Sequence, residues 1–256
     1  MTVQKEDIKE GLKKLGLKRK DMVLVHSSLS SFGYVIGGVN TVVDAILEII
    51  GEEGTLIVPT FPFRGLMYDY ISSNPLFDVR NTPSLMGIIT ETVRLREKSL
   101  RSLDPSHSVA SIGKKASYIT KGHENSLKAC GIDTPFGKNI KEGGYILLLG
   151  VTHSSNTTLH TVEETAEPDY IYDESRIFKV KVIDWQGRER ITTTLPTTPN
   201  HPRDFDKIEP LLIEKGVQVK GKIGNSIIRL VKASDLFGIA MEEIKKDPTF
   251  LLKKKN

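Results

Sequence analysis

A chain of 256 residues that is 38% hydrophobic and 27% charged can bury one substantial core, which excludes a wholly disordered protein. A formal charge of +4, much of it from Lys253, Lys254 and Lys255 near the C-terminus, reads as a solvated basic tail, so no nucleic-acid partner is expected. The single cysteine, Cys130, excludes a disulfide framework within the chain and a multi-cysteine metal site.

The N-terminal stretch is charged and lacks an apolar h-region, and runs such as Ile146–Leu149 are too short to cross a bilayer. The expectation is a cytoplasmic protein with no membrane partner. Residues 4–16 are spaced as an amphipathic helix through Ile8, Leu12 and Leu15. Met22–His26 is an apolar run that reads as a buried strand ending in polar residues. A Ser/Gly-rich loop over 27–38 leads to helical periodicity over Val39–Ile50, and Thr55–Pro59 is the next strand. Strand, loop, helix and strand in this order predict an α/β fold with a central mixed sheet and flanking helices.

Residues 60–82 read as a long surface loop. Thr82 followed by Pro83 predicts a helix from about Pro83 to Glu97. Ser108–Ile112 and Tyr145–Val151 read as strands, and the Asn156–Glu164 stretch as the start of a helix. Alternation on either side of Trp185-Gln186-Gly187 predicts an antiparallel hairpin. The free edge of that hairpin could pair two chains into a homodimer. A helix over Phe205–Lys215, short strands between Val217 and Leu230, and a helix over Ala233–Lys246 complete the chain. No repeat is visible, so 1–256 reads as a single domain with a β-rich, α+β portion at about 177–230.

Four polar clusters could carry chemistry: His26-Ser27-Ser28, Arg101–Ser108, Asp133–Lys138 and Asn156–Glu163. His160 and Glu163 lie three apart, so a helix puts them on one face, and the preceding strand delivers them to the carboxyl edge of the sheet. An imidazole oriented by a carboxylate can act as a general base, although a chance pair on a surface helix has the same spacing. His26, Ser27 and Ser28 at a strand end could supply a nucleophile or hydrogen-bond donors, or simply close a turn. Arg101, Ser102 and His107 could hold a phosphate, or could belong to an Asp-Pro turn. The six histidines are scattered without metal-ligand spacing, so no metal is expected.

The ordered series VHSSLSSFGYVIGG, VPTF, TPSLMGIITETVR, RSLDPSHSVASIG, DTPFGK and GGYILLLGVTHSSNTTLHTVEE resembles the aminoglycoside N3-acetyltransferase family over about residues 20–170. HPRDFDKIEPLL and GKIGNSIIRLVKASDL resemble the C-terminal region of its bacillus-type members. The resemblance implies acetyl-CoA as donor, a small-molecule amine as acceptor, direct transfer without an acyl-enzyme, and no metal. It implies that His160 is the general base and that Glu163 orients it or grips a cationic substrate. It sets CoA near His26, Ser27 and Ser28 and near Thr82, Pro83 and Ser84, with Arg101 and Ser102 as partners for its phosphates. Typical members carry His-Pro after the Arg-Ser pair; here Asp104-Pro105 stands there, which alters any contact made by that His but is compatible with a turn.

The acids Glu163, Glu164, Glu167, Asp169, Asp173 and Glu174 could surround a cationic acceptor, an aminoglycoside or another amine, with Glu164, Glu167 and Asp169 as the expected substrate-binding set. Two other readings compete. A serine hydrolase would use Ser27 or Ser28 with His160 as base, without a G-x-S-x-G motif. A ligand-binding protein would keep the fold and bind CoA without turnover.

Overall fold

The computed structural model describes residues 2–254; Lys255 of the basic tail lies outside them, as does the side chain of Glu174. The chain opens with β1 (Thr2–Val3) and α1 (Lys5–Lys14), then β2 (Met22–Ser27), β3 (Tyr34–Val35), α2 (Gly38–Ile50) and β4 (Thr55–Pro59). The stretch read as one long loop contains α3 (Met67–Ser72) and β5 (Leu76–Asp78). There follow α4 (Ile88–Arg94), β6 (Leu100–Arg101), β7 (Val109–Gly113), α5 (Ala116–Thr120), α6 (Pro135–Lys141) and β8 (Tyr145–Leu149). The last third holds α7 (Thr158–Ala166), β9 (Phe178–Ile183), β10 (Glu189–Thr194), α8 (Ile208–Glu214), β11 (Gln218–Ile223), β12 (Ser226–Lys232) and α9 (Ala233–Lys246).

A seven-stranded mixed sheet runs in the order β11-β12-β8-β2-β4-β7-β6. Its centre, β8-β2-β4, is parallel, and the strands on either side pair antiparallel. Covering by helices on both faces is why β2 and β8 are near-continuously apolar. Because side chains alternate across a strand, Val23, Val25, Leu147 and Leu149 face one layer, where Leu12 of α1, Ile46 of α2 and Val93 of α4 pack. Ile146 and Leu148 face the other, beneath Leu159 of α7, Leu212 of α8 and Leu236 of α9. β11 and β12 therefore belong to the main sheet. Only the hairpin β9-β10, joined by β5 in parallel to β9, forms a separate three-stranded sheet, so the β-rich portion expected at 177–230 is divided between two sheets.

Two local readings are corrected. The helix expected from Pro83 begins only at Ile88, because Gly87 at φ 116 breaks the backbone before it. Thr82 does not cap it: its hydroxyl accepts the backbone N–H of Asp78 and closes a turn. DTPFGK, read only as a polar cluster, becomes α6, with Thr134 preceding Pro135 in the first turn.

At one edge of the sheet Ser27 pairs with Leu149 and Pro59 with Val109, so β2, β8 and β4 end together while β7 begins. The connections that leave this edge carry the polar clusters, as expected for an open α/β sheet.

Candidate active site

After β8 the chain turns at Gly150, whose φ of +69 places the missing Cβ 1.8 Å from Ser31 Oγ. A short turn over His153–Ser155 follows. His153 is buried; its Nε2 lies 2.7 Å from the amide oxygen of Gln218 and its Nδ1 3.1 Å from Asn156 Nδ2, the pattern of a neutral ring donating at one nitrogen and accepting at the other. Burial lowers its pKa. Asn156 in turn accepts the Thr158 N–H at 3.1 Å, which starts α7. The helix that carries His160 and Glu163 is thus set by a chain of bonds reaching to β11.

On α7, Nδ1 of His160 lies 2.9 Å from Glu163 Oε2. The other carboxylate oxygen accepts from the Tyr170 hydroxyl at 2.9 Å and from Nε of Arg203 at 3.1 Å. Burial alone would raise the pKa of Glu163, but these partners outweigh it and hold the group below its ordinary value. An ionised carboxylate can only accept, so the Nδ1–H of His160 donates and Nε2 is left for other chemistry.

His160, its side chain 30% exposed, stands in the wall between two cavities. One, of about 240 Å³, lies over the sheet edge between His26, Ser27, Pro59, Met86, Asn156 and Thr157. The other, of about 330 Å³, lies between Phe63, Met67, His107, Glu164, Pro199 and Arg203. Ser154 and Phe205 line both, and the Phe205 ring packs on that of His160 with centroids 4.8 Å apart.

Of the residues expected near CoA, His26 and Ser27 line the first cavity. His26 is buried with Nε2 unpartnered among the described residues, and burial, then His153, push its pKa down to about 3. Ser28 bonds Ser30 at 3.1 Å within its loop, and Ser84 bonds Thr90 of α4 at 3.1 Å. Thr82 is likewise used in its turn; Met86 and Thr90 line the cavity in place of Thr82 and Ser84.

Arg101 and Ser102 lie away from both cavities beside His160. Arg101 is 2% exposed, and its guanidinium donates to the carbonyls of Thr60 (2.6 Å) and Thr82 and to the Ser108 hydroxyl at 3.1 Å. Ser102 is wholly buried against His123 Nδ1 at 2.9 Å. Their polar atoms are engaged inside the protein, and Arg101 borders a different cavity, between Leu100, Ser117 and Trp185. Asp104 accepts the N–H groups of Ser106 (2.9 Å) and His107 (2.6 Å), so it does build the turn.

The acids also separate. Glu164 lines the second cavity, but it is buried, accepts the Cys130 N–H at 2.8 Å, and is pushed up to about 8 by burial. Glu167 adopts φ 49, reversing the chain at the end of α7, and pairs with Lys128. Asp169 opens onto a separate cleft between α7 and α9. Neither lines the cavities beside His160. Asp173 pairs with Arg176 at 2.8 Å. Phe205 and Arg203 carried no signal in the sequence beyond lying in the HPRDFDKIEPLL segment. Among the described residues no cluster of three or more His, Cys, Asp or Glu could hold a metal.

The family model described as aminoglycoside 3-N-acetyltransferase matches residues 24–245. The SPbeta prophage-derived aminoglycoside N(3')-acetyltransferase-like protein YokD of Bacillus subtilis is 35% identical over 62% of this chain and 64% of its own length. Its crystal structure superposes with a TM-score of 0.82 at 27% identity, over 97% of this chain and 96% of that one. Aminoglycoside N(3)-acetyltransferase IX of Micromonospora chalcea is 27% identical over 94% of this chain and 93% of its own. The fold is also that of AAC-IIIb in binary complex with CoASH, with a TM-score of 0.82 at 22% identity over 96% of this chain and 97% of that one.

Proposed function

Because this chain belongs to the aminoglycoside 3-N-acetyltransferase family, we propose that it moves the acetyl group of acetyl-CoA directly to an amine, the 3-amino group of an aminoglycoside or the amine of a related small molecule, with His160 as general base. The observation that carries this reading is the single imidazole shared by two cavities and anchored through Nδ1 to a carboxylate. The cavity over the sheet edge takes the thioester and the cavity under Phe63 takes the amine.

Alkyl amines are protonated near neutrality, so a nucleophilic nitrogen must lose a proton before or during attack. The ammonium first releases one proton to solvent, and as the C–N bond forms Nε2 of His160 accepts a second proton from the nitrogen. Glu163 stabilises the imidazolium and fixes which nitrogen remains free. The tetrahedral intermediate then expels CoA sulfur as the C–S bond breaks, and the imidazolium returns its proton to the thiolate. One amide and one thiol result, and His160 is neutral again. Ser27 and the backbone at the start of α7 lie on the cavity wall where the developing oxyanion needs donors.

The test is release of free CoA with acetyl-CoA and a panel of aminoglycosides and simpler amines. His160→Ala is expected to lose about 10²–10⁴-fold in turnover while still binding CoA. Near-normal acetyl transfer by that variant would remove His160 from the mechanism.

A further inference from the structure

Building on that transfer reading, we infer that His107 is a second residue of the acceptor site: its Nε2 accepts the N–H that the attacking nitrogen keeps, while His160 takes the proton that the nitrogen loses. His107 lines the acceptor cavity together with His160. Its ring packs against Phe61 and Phe63, with centroids 4.4 and 5.7 Å away, and stands 6.4 Å from the ring of His160.

The neighbours of His107 fix which of its nitrogens is free. Oδ1 of Asp104 accepts the Ser106 hydroxyl at 2.9 Å as well as the backbone N–H groups of Ser106 and His107. The one hydroxyl proton of Ser106 is thereby used. Its oxygen therefore meets His107 Nδ1, 3.1 Å away, as an acceptor, and Nδ1 carries the hydrogen. A neutral ring has only that one, so Nε2 keeps its lone pair, and it has no partner among the described residues. Asp104, Ser106 and His107 are all buried, which shields this chain of bonds from water. Burial, with His160 and His123 nearby, holds the His107 pKa well below its ordinary value, so near neutral pH the ring receives a hydrogen bond and not a proton.

Two lone pairs, one from each imidazole, thus serve one cavity. Two hydrogen bonds of about 2.9 Å that meet at a single nitrogen reach across the separation of the rings. A neutral primary amine brings two N–H groups. One passes its proton to His160 as the C–N bond forms, and the other survives as the amide N–H of the product. Holding the second fixes the rotation of the nitrogen, and with it the direction of the attacking lone pair.

Long-range 1H–15N spectra of the histidine rings read the tautomer directly. His107 is expected with Nδ1 protonated and Nε2 bare, and its Nε2 signal to move to lower frequency when kanamycin binds the CoA complex. The opposite tautomer, an Nε2 signal that kanamycin leaves in place, or no binding of kanamycin overturns the inference. His107→Asn keeps a donor on the Ser106 side and deletes Nε2. It is expected to lower kcat/KM for kanamycin about tenfold, the worth of one hydrogen bond, with the KM for acetyl-CoA within about twofold. Kanamycin methylated on its 3-amino nitrogen has no second N–H to offer, so the same variant should change its kcat/KM by no more than about twofold. Equal losses for both acceptors would show that His107 only packs, and would overturn the inference. Ser106→Ala leaves the ring untouched but frees its hydrogen to move to Nε2, and should lower kcat/KM for kanamycin about threefold; an unchanged value counts against the inference. If the parent acetylates neither acceptor, nor any amine of the wider panel, the transfer reading fails and the ring spectra alone decide the role of His107.

Discussion

Glu163 fixes His160 by accepting its Nδ1–H at 2.9 Å, and is itself held by Tyr170 and Arg203. The carboxylate is wholly buried while the imidazole reaches both cavities, so rigidity and access are divided between two residues one helical turn apart.

Glu163→Gln should therefore lower kcat by about 10²-fold, because an amide neither stabilises the imidazolium nor enforces the tautomer. The KM for acetyl-CoA should stay within about twofold. A parallel loss of CoA affinity would mean that Glu163 shapes the donor cavity.

Arg101→Met should act on stability and spare the donor. Its guanidinium satisfies the buried carbonyls of Thr60 and Thr82, so removal should cost about 3 kcal/mol or more. At roughly 2–4 °C per kcal/mol for a chain of this size, thermal unfolding should show a fall of at least about 6 °C. The dissociation constant for acetyl-CoA should be unchanged. An unaltered melting temperature with lost CoA affinity would return Arg101 to the phosphates.

Glu164 predicts a pH dependence of stability. Its folded pKa is raised from 4.5 to about 8, so between these values the native state keeps a proton that the unfolded chain has released. Stability then falls as pH rises through this window. Glu164→Gln, neutral throughout and able to accept from Cys130, should gain on the parent from pH 5 to pH 8 by up to a few kcal/mol. Denaturation curves with a constant difference across that range would show that the carboxyl is ionised in the fold.

His26, His107 and His153 predict the opposite slope at acid pH. Burial lowers all three, His26 to about 3 and His107 well below its ordinary 6.5. The unfolded chain takes up protons below about 6.5 that the native state refuses, so stability present above that pH is lost as pH falls toward 3. Melting temperature followed from pH 7.5 to 4.5 should drop, and His26→Gln should flatten the slope. Identical slopes in parent and variant would mean that His26 is protonated in the folded protein.

The α/β class, the strands Met22–Ser27 and Thr55–Pro59, the hairpin and the last helix are legible because hydrophobic period and length are local properties. The pairing of His160 with Glu163 is legible because three residues on a helix are neighbours. The direction of a polar side chain is not local. Arg101 in RSLDPSHS has the same sequence whether it points at a phosphate or at the Thr60 carbonyl, and only the antiparallel placement of β7 beside β4 decides it. Helix α4 is shorter than its apolar spacing suggests because Gly87 sits at φ 116, a torsion invisible in the letters. Phe205 reaches His160, and Arg203 reaches Glu163, across forty or more positions of sequence, a separation over which no periodicity operates.

That long reach bears on how the protein is made. The candidate base is synthesised early, but what immobilises it comes late: Tyr170, Arg203, Phe205 and, through His153, Gln218. A nascent chain halted after α7 would carry the imidazole without its frame. Cutting the polypeptide between β10 and α8 would leave two inert pieces, and recovered turnover on mixing them would report directly on reassembly.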